Sequence, residues 1–395
     1  MTAYDPFVAP VYDDPAPAYG ALVRECPVHR FAGYGLEFYS FSRYADVRDG
    51  LIDVATYSSK YGQGPHYTNQ GAMFQDPPEH TMFRRLIAQA FAPKAVNGWA
   101  DDVREVTTGL LDDMAAHPDR RAELHDDVGF PLPVIIIARI LGVPEDQREQ
   151  FKQWSDDQVS GLGPNRERSD RARVALNAYF LAEVTRRRDL ISAGAPLPDD
   201  LVSTLVRNAL DAPRPITDDE LLVMLGQLLV GGNETTTSLV VNAVWRLLEV
   251  PERWARFCAD PDGLVETVIE ESLRYDPPVL GLFRTTTCPV HKHGVEVPER
   301  AKVMMLYAAA NRDPDAFADP DEFRLDRDAF ELRKTHLAFG LGVHACPGAP
   351  LSRLEAAILL PELARRFPTL RLDGATERIE PFLLWGRRRL PVRWD

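Results

Sequence analysis

From about residue 93 to residue 275 the apolar positions recur at intervals of three and four. That spacing places them on one face of successive α-helices. Stripes over Pro93–Ala116, Phe130–Leu141, Asp146–Ser160, Asn165–Ser192 and Pro198–Leu210 predict helices, with Gly or Pro at most joints. A helix from about Glu79 to Phe91 is expected before them, stopped by Pro93. Thr217-Asp-Asp-Glu220 has the pattern of a capping box. The helix it opens continues to about Glu249, before Pro251, and is roughly 45–50 Å long, enough to cross a domain. Elsewhere the pattern changes. Residues 1–30, rich in Pro and Tyr, read as an extended arm. Glu37-Phe-Tyr-Ser-Phe41 alternates like a strand, and Ser42 is placed to cap a short helix, Arg43–Asp49. Residues 61–78 form a long loop of the kind that often binds ligands. Thr285-Thr-Thr, a His293-Gly294 turn and Val303–Tyr307 predict short strands. Asn311–Asp328 reads as coil, and Cys346–Phe367 as the last long helix. The expectation is one mainly α domain, 1–395, with a small β region. Its β-rich parts fall at about 31–60, 279–310 and 368–395, and its helical body at about 79–275 and 346–367.

Composition narrows the class. Apolar residues make up 45% and charged residues 26%, as in soluble globular proteins. The net charge of -14 argues against a nucleic-acid partner. Cys26, Cys258, Cys288 and Cys346 are scattered, which suggests a reducing compartment without disulfides. The N-terminus is neither basic nor apolar, and the longest apolar run, around Leu221–Val230, is too short to span a bilayer. A cytoplasmic monomer without a membrane span is expected. Arg186-Arg-Arg188 reads as a solvated helix face.

The chemistry concentrates in His336-Leu-Ala-Phe339-Gly340-Leu-Gly342-Val-His344-Ala-Cys346-Pro347-Gly348. A cysteine lies between a glycine-rich loop and a helix N-terminus, whose dipole and unpaired N–H groups favour a thiolate. The glycines admit close backbone approach, and His344 can donate to an anion. An axial cysteine ligand to haem iron needs these features. Other readings compete. A lone cysteine is often a small core hydrophobe. Gly340-Leu-Gly342-Val-His-Ala345 loosely fits a dinucleotide fingerprint, but it has a poor preceding strand and too little chain after it. A zinc site would need companions that His344 and Cys346 lack locally.

The stretch Phe339-Gly-x-Gly342-x-His344-x-Cys346-x-Gly348 resembles the haem-binding signature of the cytochrome P-450 superfamily. The resemblance implies that family's fold, with a long central helix across the haem. It also implies heme b (iron protoporphyrin IX) ligated by Cys346, with Phe339, Gly340, His344 and Gly348 around it. The middle of the long helix supports it: Val230-Gly231-Gly232-Asn233-Glu234-Thr235-Thr236. Adjacent glycines in a buried helix cost about 1–2 kcal/mol relative to alanine. They point to a kink, a ligand or close helix packing. With Glu234 and Thr235 they resemble the family's oxygen-activation motif, small-Gly-x-acid-Thr. That implies Gly231 and Gly232 facing haem and O2, Thr235 hydrogen-bonding to oxygen, and Glu234 relaying protons from solvent. Aspartate is commoner there in the family, so the longer glutamate leaves the relay's path open.

Glu271-Ser-Leu-Arg274 puts acid and base on one helix face and resembles the family's Glu-x-x-Arg motif, completed by Arg327 in a structural role. His80 and Arg84, one turn apart, match with Arg284 and His344 the family's clamp on the haem propionates. Gln227 and Val230 share a helix face with Gly231 and Thr235. Met73, Phe74, Val279, Leu280, Leu282 and Leu384 could complete a mostly apolar pocket. Such a lining favours a neutral or weakly polar hydrophobic small molecule. The reading is a haem-thiolate monooxygenase that hydroxylates or epoxidises it with one atom of O2. Electrons from NAD(P)H would come through a reductase and a ferredoxin or flavodoxin, docking on Arg84 or Arg85, Arg333, Lys334 and Arg353. An H2O2-driven peroxygenase is the alternative enzyme, although such relatives often replace the acid–threonine pair. A non-catalytic haem or ligand-binding protein is the alternative of another class.

Overall fold

The computed structural model describes every residue except 1–3, 69–70, 148–149, 152, 155–156, 158–165 and 381. Helices dominate and the sheets are small. The chain forms two compact units. One contains residues 1–77, 262–346 and 381–386; the other contains 78–261, 347–380 and 387–395.

The first unit is built on a sheet of five strands. Their spatial order is Val28–Gly33, Leu36–Phe41, Lys302–Met305, Leu282–Thr286, Tyr57–Ser58. The first two strands form a hairpin at Tyr34-Gly35, where both residues have positive φ, as a tight hairpin turn requires. Lys302–Met305 pairs parallel to Leu36–Phe41 and antiparallel to Leu282–Thr286. Phe41, Val47, Leu51, Met305, Tyr307 and Leu337 belong to one buried core, so the sheet is covered by the chain that leads into the cysteine loop.

Two expectations are corrected here. The N-terminal stretch is not an extended arm: Ala9–Asp13 and Ala16–Glu25 are helices, the second burying Tyr19, Leu22 and Val23. Their prolines stand in the first turn, where no backbone N–H is needed. Nor does Ser42 cap a helix, because its hydroxyl donates to the Pro27 carbonyl. The helix is Tyr44–Ile52, and its first N–H is answered by Asp313 Oδ2 at 2.8 Å. A tertiary contact has replaced the local cap.

The second unit is mostly helical. The long helix spans Asp218–Glu249 and runs through Gly231-Gly232. Its capping box is present: Glu220 N donates to Thr217 Oγ1 at 3.2 Å, and Thr217 N to Glu220 Oε2 at 2.9 Å. The stripe from Pro93 splits at Gly98-Trp99 into Pro93–Asn97 and Ala100–Ala115. Much of the helix expected over Asp146–Ser160 lies outside the described residues, as does Asn165 at the start of the next, which is seen as Arg166–Ser192. The arginine run on that helix is only partly a solvated face. Arg187 is fully buried, bonded to Glu183 and to Asp200 Oδ2 at 2.6 Å. Three consecutive residues sweep most of a helical turn, so one of the three points inward.

A single π-helical turn, His125–Gly129, leads into the helix Pro131–Leu141. It seats directly on the long helix. Thr237 Oγ1 donates to the Gly129 carbonyl at 3.2 Å, and a Cβ on Gly129 would lie 2.7 Å from Val241 Cγ2. Only glycine permits that approach. Among the described residues no helix is long and apolar enough to cross a membrane.

Candidate active site

In the first unit, backbone geometry fixes the cysteine loop. Gly340 (φ 67°) and Gly342 (φ 74°) occupy the left-handed region, and a Cβ on Gly342 would lie 3.1 Å from the Leu51 carbonyl oxygen. The Cys346 N–H donates to the Phe339 carbonyl at 2.9 Å, closing the loop on itself. Leu337 N–H donates to Asn311 Oδ1 at 2.8 Å, and His336 Nε2 lies 2.9 Å from Glu270 Oε2, so the loop's entry is anchored as well. Cys346 and His344 are half-buried. The expected last helix starts later than Cys346: it spans Ala349–Arg366, with Gly348 as its N-cap. Cys346 therefore belongs to the loop. None of the four cysteines is in a disulfide.

Arg284 tests whether haem suits these residues. It is 2% exposed, yet its Nε and Nη1 have no acceptor. Burial lowers its pKa, opposed by the charges of Tyr307 and Asp76. A buried guanidinium with unanswered donors calls for an anion, and a haem carboxylate supplies one. Among the described residues no three His, Cys, Asp or Glu side chains cluster to hold a metal ion.

The predicted ionic triad is assembled. Glu271 meets Arg274 Nε at 2.7 Å and Arg327 Nε at 3.1 Å. Of the pocket candidates, Val279 and Leu384 pair as an isolated β-bridge, and Leu280 N–H donates to the Leu383 carbonyl at 2.8 Å. Leu280 is buried, whereas Val279, Leu282 and Leu384 are half-buried. Met73 and Phe74 lie half-buried on the 3-10 turn Ala72–Phe74.

In the second unit His80 is buried and Arg84 half-buried on the helix Glu79–Ile87. On the long helix Gln227 and Val230 are half-buried. A Cβ added to Gly231 or Gly232 would meet nothing within 4 Å, so the glycines leave open space beside the helix. Thr235 Oγ1 donates to the Gly231 carbonyl at 2.7 Å. Glu234 is 8% exposed and its Oε1 has no partner. Burial raises its pKa; the charge of His125 and a hydrogen bond with Ser238 pull it back.

Sequence reasoning missed three groups. His125 acts on Glu234 from the separate π turn, and nothing local marks it, whereas Ser238 lies one helical turn after Glu234, a spacing the sequence does carry. Glu355, on Ala349–Arg366, is fully buried with Oε2 unpartnered, and burial pushes its pKa up to about 8. Its burial was hidden because that helix carries apolar residues on more than one side.

A cytochrome P450 family model matches residues 263–386. The chain is 34% identical to cytochrome P450 107B1 of Saccharopolyspora erythraea, across 94% of this chain and 93% of that protein. It is 37% identical to erythromycin C-12 hydroxylase of the same organism, across 89% of this chain and 87% of the relative. The structure of PksS, a cytochrome P450 of the bacillaene polyketide synthase of Bacillus subtilis 168, matches with a TM-score of 0.88 and 27% identity over 100% of both chains. With full-length relatives, a shared mainly helical fold and an anchored cysteine loop, the chain belongs to the cytochrome P450 family and is a haem-thiolate monooxygenase of the bacterial type.

Proposed function

We propose that the protein hydroxylates or epoxidises a large hydrophobic molecule of the macrolide or polyketide kind. Cys346 would ligate the haem iron, and Arg284, His80, Arg84 and His344 would answer its carboxylates. When bound, the haem supplies the redox chemistry that activates O2 and inserts one of its atoms into the substrate. The chain does the rest. The loop from Phe339 to Cys346 holds the sulfur still through its own backbone bond. Gly231 and Gly232 leave room beside the long helix. Thr235 presents a hydroxyl whose present acceptor is a carbonyl of its own helix. Glu234 holds a proton more tightly than an exposed carboxyl does, and can hand it on beside that hydroxyl.

One observation carries this reading: a buried carboxyl with an unanswered oxygen, on the residue that precedes the threonine in the helix and follows the open glycine notch by two positions. A peroxide-driven enzyme or a passive haem carrier has no need of it. The substrate class is supported by the similarity to an erythromycin hydroxylase and to a cytochrome P450 of the bacillaene polyketide synthase, and by the apolar, half-buried Met73, Phe74, Val279, Leu282 and Leu384. Electrons would come from NAD(P)H through a reductase and a ferredoxin or flavodoxin. Arg333 and Lys334 are exposed beside Phe330, which is 62% exposed, and offer a mixed basic and apolar contact.

Thr235→Ala should keep its haem but release most of the oxygen it consumes as hydrogen peroxide. Tightly coupled product formation by that variant would contradict the proton-delivery role. Spectral titration should show macrolide lactones binding more tightly than short charged acids; the reverse order would reject the substrate class.

A further inference from the structure

The chain that leads towards Met73 and Phe74 is held to the sheet by a buried cation. Lys302 opens the strand Lys302–Met305 and is 2% exposed. Its Nζ donates to the Tyr61 carbonyl at 2.7 Å and to the Gly62 carbonyl at 2.9 Å. Among the described residues no carboxylate pairs with it, and burial pulls its pKa down to about 8, which still leaves an ammonium at neutral pH. An ammonium out of water is costly unless its hydrogens are answered, so the lysine grips these carbonyls firmly.

The sheet order explains the reach. Lys302 stands opposite Thr285, and Thr285 opposite Ser58, so the three share one face of neighbouring strands. The Lys302 side chain therefore crosses the strand Leu282–Thr286 to meet the chain beyond Ser58. The floor it crosses is polar and buried: Thr285 Oγ1 has no partner, and the Ser58 hydroxyl donates to Asp76. Over such a floor little apolar area is gained, and discrete bonds must hold a loop in place.

Those bonds gather at Tyr61–Thr68. The Thr68 N–H donates to the Tyr61 carbonyl at 3.1 Å, closing the segment on itself. Gly62 (φ 92°) has no room for a Cβ against Thr68. The Phe283 N–H donates to the Gln63 carbonyl at 3.0 Å, next to Leu282 of the apolar lining. Lys302 Nζ also lies 5.0 Å from the centre of the Tyr67 ring, and Arg300 lies 4.4 Å over Tyr61 and 5.7 Å over Tyr67. The Tyr67 hydroxyl donates to the Arg300 carbonyl. Lys60, 5.1 Å over Tyr61, is a further cation there. The Ser59 N–H donates to Asp76 Oδ1 at 2.8 Å, so the chain that carries the turn Ala72–Phe74 leaves the sheet and returns to it at fixed points.

We propose that Lys302 is a positioning residue of the substrate site: its ammonium clasps the neck of Tyr61–Thr68 and so sets the attitude of Leu282, beside that neck, and of Met73 and Phe74, which follow it. The inference rests on the pocket lining given above. The lysine acts through two carbonyls and touches no substrate.

The test uses the ferric holoprotein. Lys302→Met keeps an apolar stem and removes the charge; Lys302→Arg restores charge and donors. In hydrogen exchange read by mass spectrometry, peptides spanning Tyr61–Thr68 should exchange about tenfold faster in Lys302→Met. The peptide holding Leu306, whose N–H donates to Phe41 in the same sheet, should keep its protection. Clotrimazole, an azole that ligates haem iron and fills the space beside it, should bind about tenfold more weakly at unchanged haem content. Lys302→Arg should recover most of both losses. Unchanged exchange over Tyr61–Thr68, or equal loss of protection at Leu306, overturns the clasp. Faster exchange with an unchanged clotrimazole constant overturns the positioning role, because a purely structural lysine gives that result. If Lys302→Met does not fold, Tyr67→Leu decides alone. That change, at an exposed residue, removes the ring against the ammonium and should move both readings by about threefold; no movement overturns the proposal. Clotrimazole binds without reference to the native substrate, so macrolide lactones that fail to bind the parent would sink the substrate class and leave this test standing.

Discussion

Two buried glutamates show two uses of a carboxyl group. Glu271 is 0% exposed and both its oxygens are answered. Oε2 takes Arg274 Nε at 2.7 Å, and Oε1 takes Arg274 Nη2 at 2.8 Å, Arg324 N at 2.9 Å and Arg327 Nε at 3.1 Å. The remaining donors of Arg274 go to the carbonyls of Asn311 at 3.1 Å, Pro320 at 2.7 Å and Glu322 at 2.8 Å. Such a network is complete, and a complete network is architecture. Glu234 is nearly as buried but keeps one oxygen without a partner. Burial disfavours its charged form. The contrast separates a residue that pins the coil after the helix Pro261–Tyr275 from one whose charged form burial disfavours.

The largest effect should come from breaking the complete network. Arg274→Leu leaves Glu271 charged and buried, and should cost about 3–5 kcal/mol. Guanidinium unfolding of the holoprotein measures it, and failure to accumulate folded protein is the extreme outcome.

Arg284 lies between the two cases, as a buried cation that still lacks partners. Arg284→Leu should weaken haem retention about tenfold or more, since a hydrogen bond to a charged group is worth roughly 1.5–3 kcal/mol. The apoprotein should be no less stable, because a desolvated charge has been removed. Haem transfer to apomyoglobin and unfolding of the apoprotein give the two numbers; a loss of apoprotein stability without faster haem loss would make Arg284 structural.

Glu355 sharpens the comparison with a smaller effect. Burial raises its pKa from 4.5 to about 8. The folded state therefore binds a proton that the unfolded chain has released across that window. This contribution is intact below about pH 4.5 and is lost as pH rises through about 8. Glu355→Gln cannot ionise, so its melting temperature should decline less than the parent's between those limits. Parallel curves would mean that Glu355 is answered in solution.

What the sequence made legible is what chemistry writes locally. The capping box at Thr217 and Glu220 spans one turn, and Glu271 and Arg274 are three residues apart on one helix. The cysteine loop declares itself through glycines at Gly340 and Gly342 that the backbone needs. Other features depend on contacts between distant segments. Ser42 offered a local cap, but Asp313 supplies the N–H acceptor from far along the chain. Prolines near the N-terminus suggested an arm because helix breakers and first-turn residues are spelled alike. Arg187 was hidden in a charged run, and His125 in a segment whose importance comes from the glycine that lets it touch the long helix.

Cys346 as the haem ligand can be tested with a single spectrum. Purified holoprotein, reduced and exposed to carbon monoxide, should show the red-shifted Soret band of a thiolate-ligated haem, and Cys346→Ala should lose it even where haem is kept. A parent protein whose carbonyl band is that of nitrogen ligation, or one that gives the thiolate band without Cys346, would contradict the assignment.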